Sequence, residues 1–240
     1  MTHFHYCFVL PDGTREEFTL DIDLVTIELQ QDDGPWPEWA RLGYEQCPHC
    51  PEEMVGHEHC PMAMALASLV ERFSSLLSYE EVELTVTSAE RSLRQQTTAQ
   101  RGIASIMGLL MATCGCPHTR FLRPMARFHL PLATEEETIY RAFTMYALSQ
   151  FLSCGQAEVL DVSFQGMTVL YGQLEKVNSA FVVRLRAAAQ ADSSVNALIN
   201  LDMYAKAMPY VVEDSLEELR YLFPDENSVW SRLSKTKLYQ

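Results

Sequence analysis

Apolar and polar positions along the chain change period several times, and each change predicts an element. Residues 4–10 and 17–23 both alternate and flank Pro11-Asp12-Gly13-Thr14, and alternation on either side of a Pro-Asp-Gly turn predicts a β-hairpin. Residues 25–29 (Val-Thr-Ile-Glu-Leu) alternate too and predict a third strand or a continuation of the second. Residues 30–37 form a polar loop, with Trp36 and Trp39 at the edge of the core. Over residues 61–77 the apolar positions Met62, Leu66, Leu69, Val70, Phe73, Leu76 and Leu77 fall on one face of a helix. Val82, Leu84 and Val86 return to period two and predict a strand, paired across a turn at 89–91 with residues 92–96.

Residues 98–113 are apolar almost all round and predict a central helix. The stretch 114–133 carries three prolines and no clean period, which predicts an ordered loop. Thr134-Glu-Glu-Glu137 is a capping box that opens a helix with Phe143, Tyr146, Ala147 and Phe151 on its apolar face. Beyond a short segment at 159–162, Met167, Leu170, Leu174, Val177, Phe181, Leu185 and Ala188 step by three and four. A second helix, capped by Asp192 or Ser193, continues the rhythm to Phe223, with Pro209 predicted to kink or split it. Together these predict an α+β fold: a small antiparallel sheet with packed helices and a C-terminal helical hairpin over 166–223. The expected organisation is an α+β metal-binding domain at 1–155 and a C-terminal helical region at 156–240 packed on it.

Charge then narrows the function classes. There are 32 Asp+Glu against 18 Lys+Arg, a net charge of −14. Such a chain lacks the positive footprint that duplex nucleic acid requires, and it is repelled by anionic membrane surfaces. The longest apolar stretch, about 103–116, is broken by Ser105, Thr113 and glycines and falls short of a membrane span. The first ten residues lack the basic start and apolar run of a secretory signal, so the expectation is a cytoplasmic protein with reduced thiols. No Gly-x-Ser-x-Gly, phosphate-binding loop or dinucleotide fingerprint is present.

The thiols and imidazoles are the informative residues. The chain has seven cysteines and seven histidines, and nine of these fourteen fall within residues 47–60 and 114–118. Cys47-x2-Cys50 is the spacing at which one tight turn offers two thiolates to a tetrahedral ion. The loop to Cys60 is long enough to fold back with a third. Pro61 suits the first position of the following helix, which makes Cys60 its N-cap. The fourth ligand comes from Cys116, Cys114, His118, His57 or His59. Cys116 is preferred because it repeats the Cys-Pro pairing at 47, 50 and 60. Zinc is the expected ion and an iron–sulfur cluster the alternative. Cys7 and Cys154 read as packing residues. Arg120, Arg123 and Arg127, interleaved with Phe121 and Phe128, form the one basic run. They suggest an anion pocket beside the metal loop, weighed against simple pairing with the acidic surface.

Cys47-Pro-x-Cys50-Pro, Cys60-Pro, Gly115-Cys116-Pro, Leu122-Arg-Pro-Met-Ala126 and His129-Leu-Pro131 resemble the motifs of an uncharacterised bacterial family known only as a domain of unknown function. The resemblance runs from the first hairpin to about Phe223. It implies thiol positions at Cys47, Cys50, Cys60 and Cys116, with Cys114 and His118 at looser ones, and brings no activity. The expected function is a non-enzymatic zinc-binding regulatory or adaptor module, joined to a protein partner or to itself through its C-terminal helices. The alternatives are a metal-dependent enzyme acting on an anionic small molecule and an iron–sulfur or thiol redox protein.

Overall fold

Gly13 closes the first hairpin with φ at +86°, a conformation that side chains disfavour. The turn is held by Gly13 N–H on the Leu10 carbonyl (2.9 Å) and Thr14 N–H on the Asp12 carboxylate (2.8 Å). This is a computed structural model describing residues 1–31, 34–153, 160–161, 163–188, 192–210 and 219–223, without the side chains of 204 and 206–210. Strands β1 (Thr2–Val9) and β2 (Arg15–Ile22) pair antiparallel, with Tyr6 opposite Phe18 and Phe4 opposite Leu20. β3 (Glu81–Thr87) and β4 (Ser92–Thr98) form the second hairpin. β3 pairs antiparallel with the free side of β1, giving the order β2-β1-β3-β4.

The helices are α1 (Pro61–Arg72), α2 (Ala99–Thr113), α3 (Arg123–Arg127), α4 (Glu135–Ser153), α5 (Gln165–Ala188) and α6 (Ser193–Tyr210). The fold is α+β, as the patterning predicts. Among the described residues no helix is long and apolar enough to cross a membrane.

Two expected elements differ. Residues 25–29 do not add a strand, because the Asp23 carboxylate accepts the N–H groups of Val25 (2.7 Å) and Thr26 (2.9 Å) and turns the chain. Only an isolated bridge between Ile22 and Leu29 remains. The 114–133 stretch contains a 3₁₀ turn at Pro117–Leu122 and the short α3, each with a proline in its first two positions. The capping box forms as read: Glu137 N–H donates to Thr134 Oγ1 (3.2 Å) and Thr134 N–H to the Glu137 carboxylate (2.7 Å). Asp192 precedes α6, and its carboxylate accepts Ser78 N–H (3.0 Å), Ser78 Oγ–H (3.1 Å) and Asn196 Nδ2–H (2.9 Å), tying the start of α6 to the segment between α1 and β3. Helix α6 is described only to Tyr210, one residue after Pro209. Residues 211–218, like Cys154 and residues 159 and 162, lie outside the described residues.

One face of the sheet buries Tyr6, Phe8, Ile22 and Leu84 against α1, α2, α5 and α6. A second cluster joins Ile139, Phe143 and Tyr146 of α4 to Met167, Tyr171 and Leu174 of α5. Among the described residues nothing covers the last turn of α4, where Phe151 and Leu152 are 66% and 73% exposed.

Gly102 lets α2 lie directly on the sheet. A Cβ built there would stand 2.9 Å from Cε1 of Phe8, a ring with no exposure and with Phe73 packed against it at 4.9 Å. Gly102→Ala is therefore expected to lower unfolding stability in urea by about 1–3 kcal/mol, although alanine favours an isolated helix by about 1 kcal/mol.

A hydrogen bond between the Tyr6 hydroxyl and Nε2 of His129 links the central strand to the segment after α3. Burial and the nearby Arg141 charge push the His129 imidazole down to about 3. The unfolded chain thus takes up a proton near pH 6.5 that the folded chain refuses, so this stabilisation is complete above pH 6.5 and is lost as pH falls toward 3. Because His129 as a residue is half-buried, the expected loss between pH 7 and pH 5 is on the order of 1 kcal/mol. His129→Gln, followed by chemical denaturation at both pH values, should remove that increment.

Candidate metal centre

Two backbone hydrogen bonds close the cysteine loop. Cys60 N–H donates to the Ala40 carbonyl (2.8 Å) and Leu42 N–H to the Glu58 carbonyl (2.9 Å), clasping the two ends of 40–60 together. Inside the clasp, Cys50 N–H donates to the Cys47 carbonyl (2.9 Å), forming the tight turn that the Cys-x2-Cys spacing predicts. Cys60 is the N-cap of α1 with Pro61 as the first helical residue. Cys116 stands in the same relation to Pro117 and its 3₁₀ turn. Gly115, at φ +89°, turns the chain out of α2 so that Cys116 can leave the helix axis.

Cys47, Cys50, Cys60 and Cys116 all line one cavity of about 40 Å³, together with His118 and Arg184. All four are free and partly exposed. Among the described residues, no three His, Cys, Asp or Glu side chains form a group arranged to hold a metal ion. The electrostatics show that the thiols feel one another. Burial, then the proximity of Cys60, Cys47 and Cys50, pushes the Cys116 thiol up to about 11. Burial also raises Cys47 and Cys50, with neighbouring thiols adding to it and Arg184 opposing it. Like-charge repulsion of this kind disfavours thiolates, and a cation among them reverses its sign.

The other candidate ligands are placed differently. Cys114 is buried, donates from Sγ to the Met111 carbonyl (3.2 Å) and does not line the cavity. His118 lines it but donates from Nε2 to the His49 carbonyl (2.7 Å), tying the 114–118 turn to the Cys47–Cys50 knuckle. His57 and His59 are not among the lining residues. Of the basic run, Arg120 pairs with Glu53 (3.3 Å), Arg123 with Glu28, and Arg127 lies 5.3 Å from the Phe128 ring centroid. None of the three lines either described cavity. Cys7 is buried in β1, consistent with packing.

The sequence pattern did not single out Arg184. It stands on α5 between the seam positions Phe181 and Leu185, is 2% exposed, and among the described residues has no carboxylate within ion-pair distance. Nη1 donates to the carbonyls of Trp39 (2.8 Å) and Arg41 (2.9 Å), and Nη2 to Leu42 (3.1 Å) and Glu45 (3.5 Å). Burial lowers its pKa, and Cys60, Cys47 and Cys50 pull it back up. An arginine beside core positions of a helix seam was the available signal, because such a residue is rarely buried without a specific partner.

Comparison with known proteins adds one match. A family model described as "Domain of unknown function (DUF6901)" matches residues 4–224. No curated protein and no solved structure matches the chain.

Arg184 can be tested apart from any metal. Arg184→Met leaves several buried carbonyls without donors, and the expected loss of stability is on the order of 3 kcal/mol or more. Arg184→Lys should restore little of it, since one ammonium cannot span the same carbonyls. Thermal unfolding measures the loss, and faster proteolysis within residues 39–60 should accompany it.

Proposed function

The chain belongs to this family of unknown function, DUF6901, and from its own geometry we propose that it is a metal-binding protein with one zinc ion held by Cys47, Cys50, Cys60 and Cys116. The observation that carries the proposal is the lining of a single small cavity by four thiols from two loops. Arg184 supports it on charge grounds. Four thiolates around a divalent ion leave a net charge of −2, and a buried guanidinium with no carboxylate within ion-pair distance among the described residues offsets part of it. The ion would supply fixed coordination, tying the 40–60 loop to the turn after α2 and adding its binding free energy to folding.

The role that fits is structural. Four thiolates close a tetrahedral site, whereas a catalytic zinc keeps a position open for water. His118 is occupied by the His49 carbonyl, and His57 and His59 do not line the cavity, which favours the closed site over the enzyme reading. We place the protein in the cytoplasm as a regulatory or adaptor module. Exposed apolar side chains on the C-terminal helices, Val169, Val183 and Met203, support a protein partner or self-association there.

Anaerobic purification, then elemental analysis and an absorption spectrum, tests the proposal. The expected result is a colourless protein with about one zinc per chain, lower zinc content in Cys60→Ser and in Cys116→Ser, and unchanged content in Cys114→Ser. Visible absorption with bound iron would move the assignment to a cluster. Unchanged metal content in both Cys60→Ser and Cys116→Ser would remove the four-thiolate site.

A further inference from the structure

The two hydrophobic clusters do not meet everywhere. Between them, α2, the segment after α3 and parts of α4, α5 and α6 border an open cleft of about 500 Å³, a volume in the range that accepts small-molecule ligands. None of its lining residues lines the cysteine cavity. Much of the wall is apolar, including Ala104, Leu109, Met125, Leu174 and Leu201.

Arg141, Tyr171 and Asn178 are three polar groups of the lining. Arg141 is half-buried, and among the described residues its hydrogen bonds run from Nη2, to the carbonyls of Met125 (2.8 Å) and Phe128 (2.9 Å). Among the described residues no carboxylate lies within ion-pair distance of it. The other charged lining residues, Arg101 and Glu135, are of opposite sign, and Glu137, which does not line the cleft, acts on Arg141 from one turn away on α4. Tyr171 is 6% exposed, is acted on directly by the Arg141 charge, and its ring packs edge-on to Phe121 at 5.5 Å. Asn178 is 1% exposed, and its Oδ1 is buried without a hydrogen-bond partner among the described residues. A buried amide oxygen left unpaired costs about 1–3 kcal/mol, which is unfavourable unless a ligand supplies the donor.

The spacing of these groups defines a ligand with two ends. Tyr171 and Asn178 are seven residues apart on α5, so they share a face two turns, or about 10 Å, apart. Arg141 joins Tyr171 at one end, and its guanidinium offers the paired donors that match a carboxylate. We infer that the cleft binds a small apolar carboxylic acid with a hydroxyl at its far end. Arg141 and the Tyr171 hydroxyl hold the carboxylate, the apolar wall covers the chain, and Asn178 Oδ1 accepts the hydroxyl proton.

Calorimetric titration of the full chain as purified, with 8-hydroxyoctanoate, octanoate and octanol as probes, tests this independently of the cysteine site. The expected result is saturable binding of one 8-hydroxyoctanoate per chain, with octanoate weaker and octanol weaker by about tenfold or more. Arg141→Gln should cost a similar factor. Should that variant fail to fold, Tyr171→Phe carries the same test, since it deletes one oxygen and is expected to weaken both acids severalfold. Asn178→Leu should erase the preference for the hydroxy acid over octanoate. No saturable binding of any probe, or octanol binding as tightly as the acids, overturns the proposal. A hydroxy-acid preference that survives Asn178→Leu overturns the assignment of the far end.

Discussion

A guanidinium with almost no exposed surface holds the cysteine loop in place. Loop backbone that leaves the surface must find partners for its carbonyls, and among the described residues only an isolated bridge between Arg41 and His59 pairs residues 39–45 with neighbouring backbone. Arg184 supplies further partners, donating to carbonyls of Trp39, Arg41, Leu42 and Glu45 from one planar group. Tyr44 adds a weaker tie from its hydroxyl to the Ala187 carbonyl (3.4 Å). On this anchoring depend the clasp at Ala40 and Cys60, the N-cap of α1, and the placement of α1 against the sheet. The arrangement also puts a positive charge where the thiols converge, so that backbone satisfaction and thiol electrostatics are served by one side chain.

The elements that were legible in the sequence are those whose signal is local. The first hairpin is encoded by a turn tetrapeptide and two alternating runs, α4 by a reciprocal cap, and β3 by three valine and leucine positions of period two. Residues 25–29 alternate equally well but obey Asp23, whose carboxylate satisfies two N–H groups that a strand would have offered to a neighbour. The apolar face of α4 was over-read at its end: Ala147 and Phe151 continue the helical spacing, yet nothing among the described residues covers them. Periodicity reports which side chains share a face and is silent on what that face meets.

The grouping of the cysteines was legible in their clustering and short spacings, and the four named cysteines do line one cavity. What spacing could not convey was the setting. Arg184 lies 124 positions after Cys60 and resembles any helical arginine until the loop is folded over it. The cleft residues Arg141, Tyr171 and Asn178 were invisible for the same reason, since each looks ordinary alone and only packing of α4 on α5 brings them to one space.

The long separation between the loop and its anchor has a consequence for biosynthesis. A chain elongating at about 5–20 residues per second delivers Cys47, Cys50 and Cys60 to the exit tunnel roughly 6–25 s before Arg184 arrives. During that interval the nascent thiols have neither the overlying helix nor its charge, and the loop carbonyls are still hydrated. Order in this part of the molecule is therefore imposed late, from the C-terminal side, after the first sheet strands have already been released.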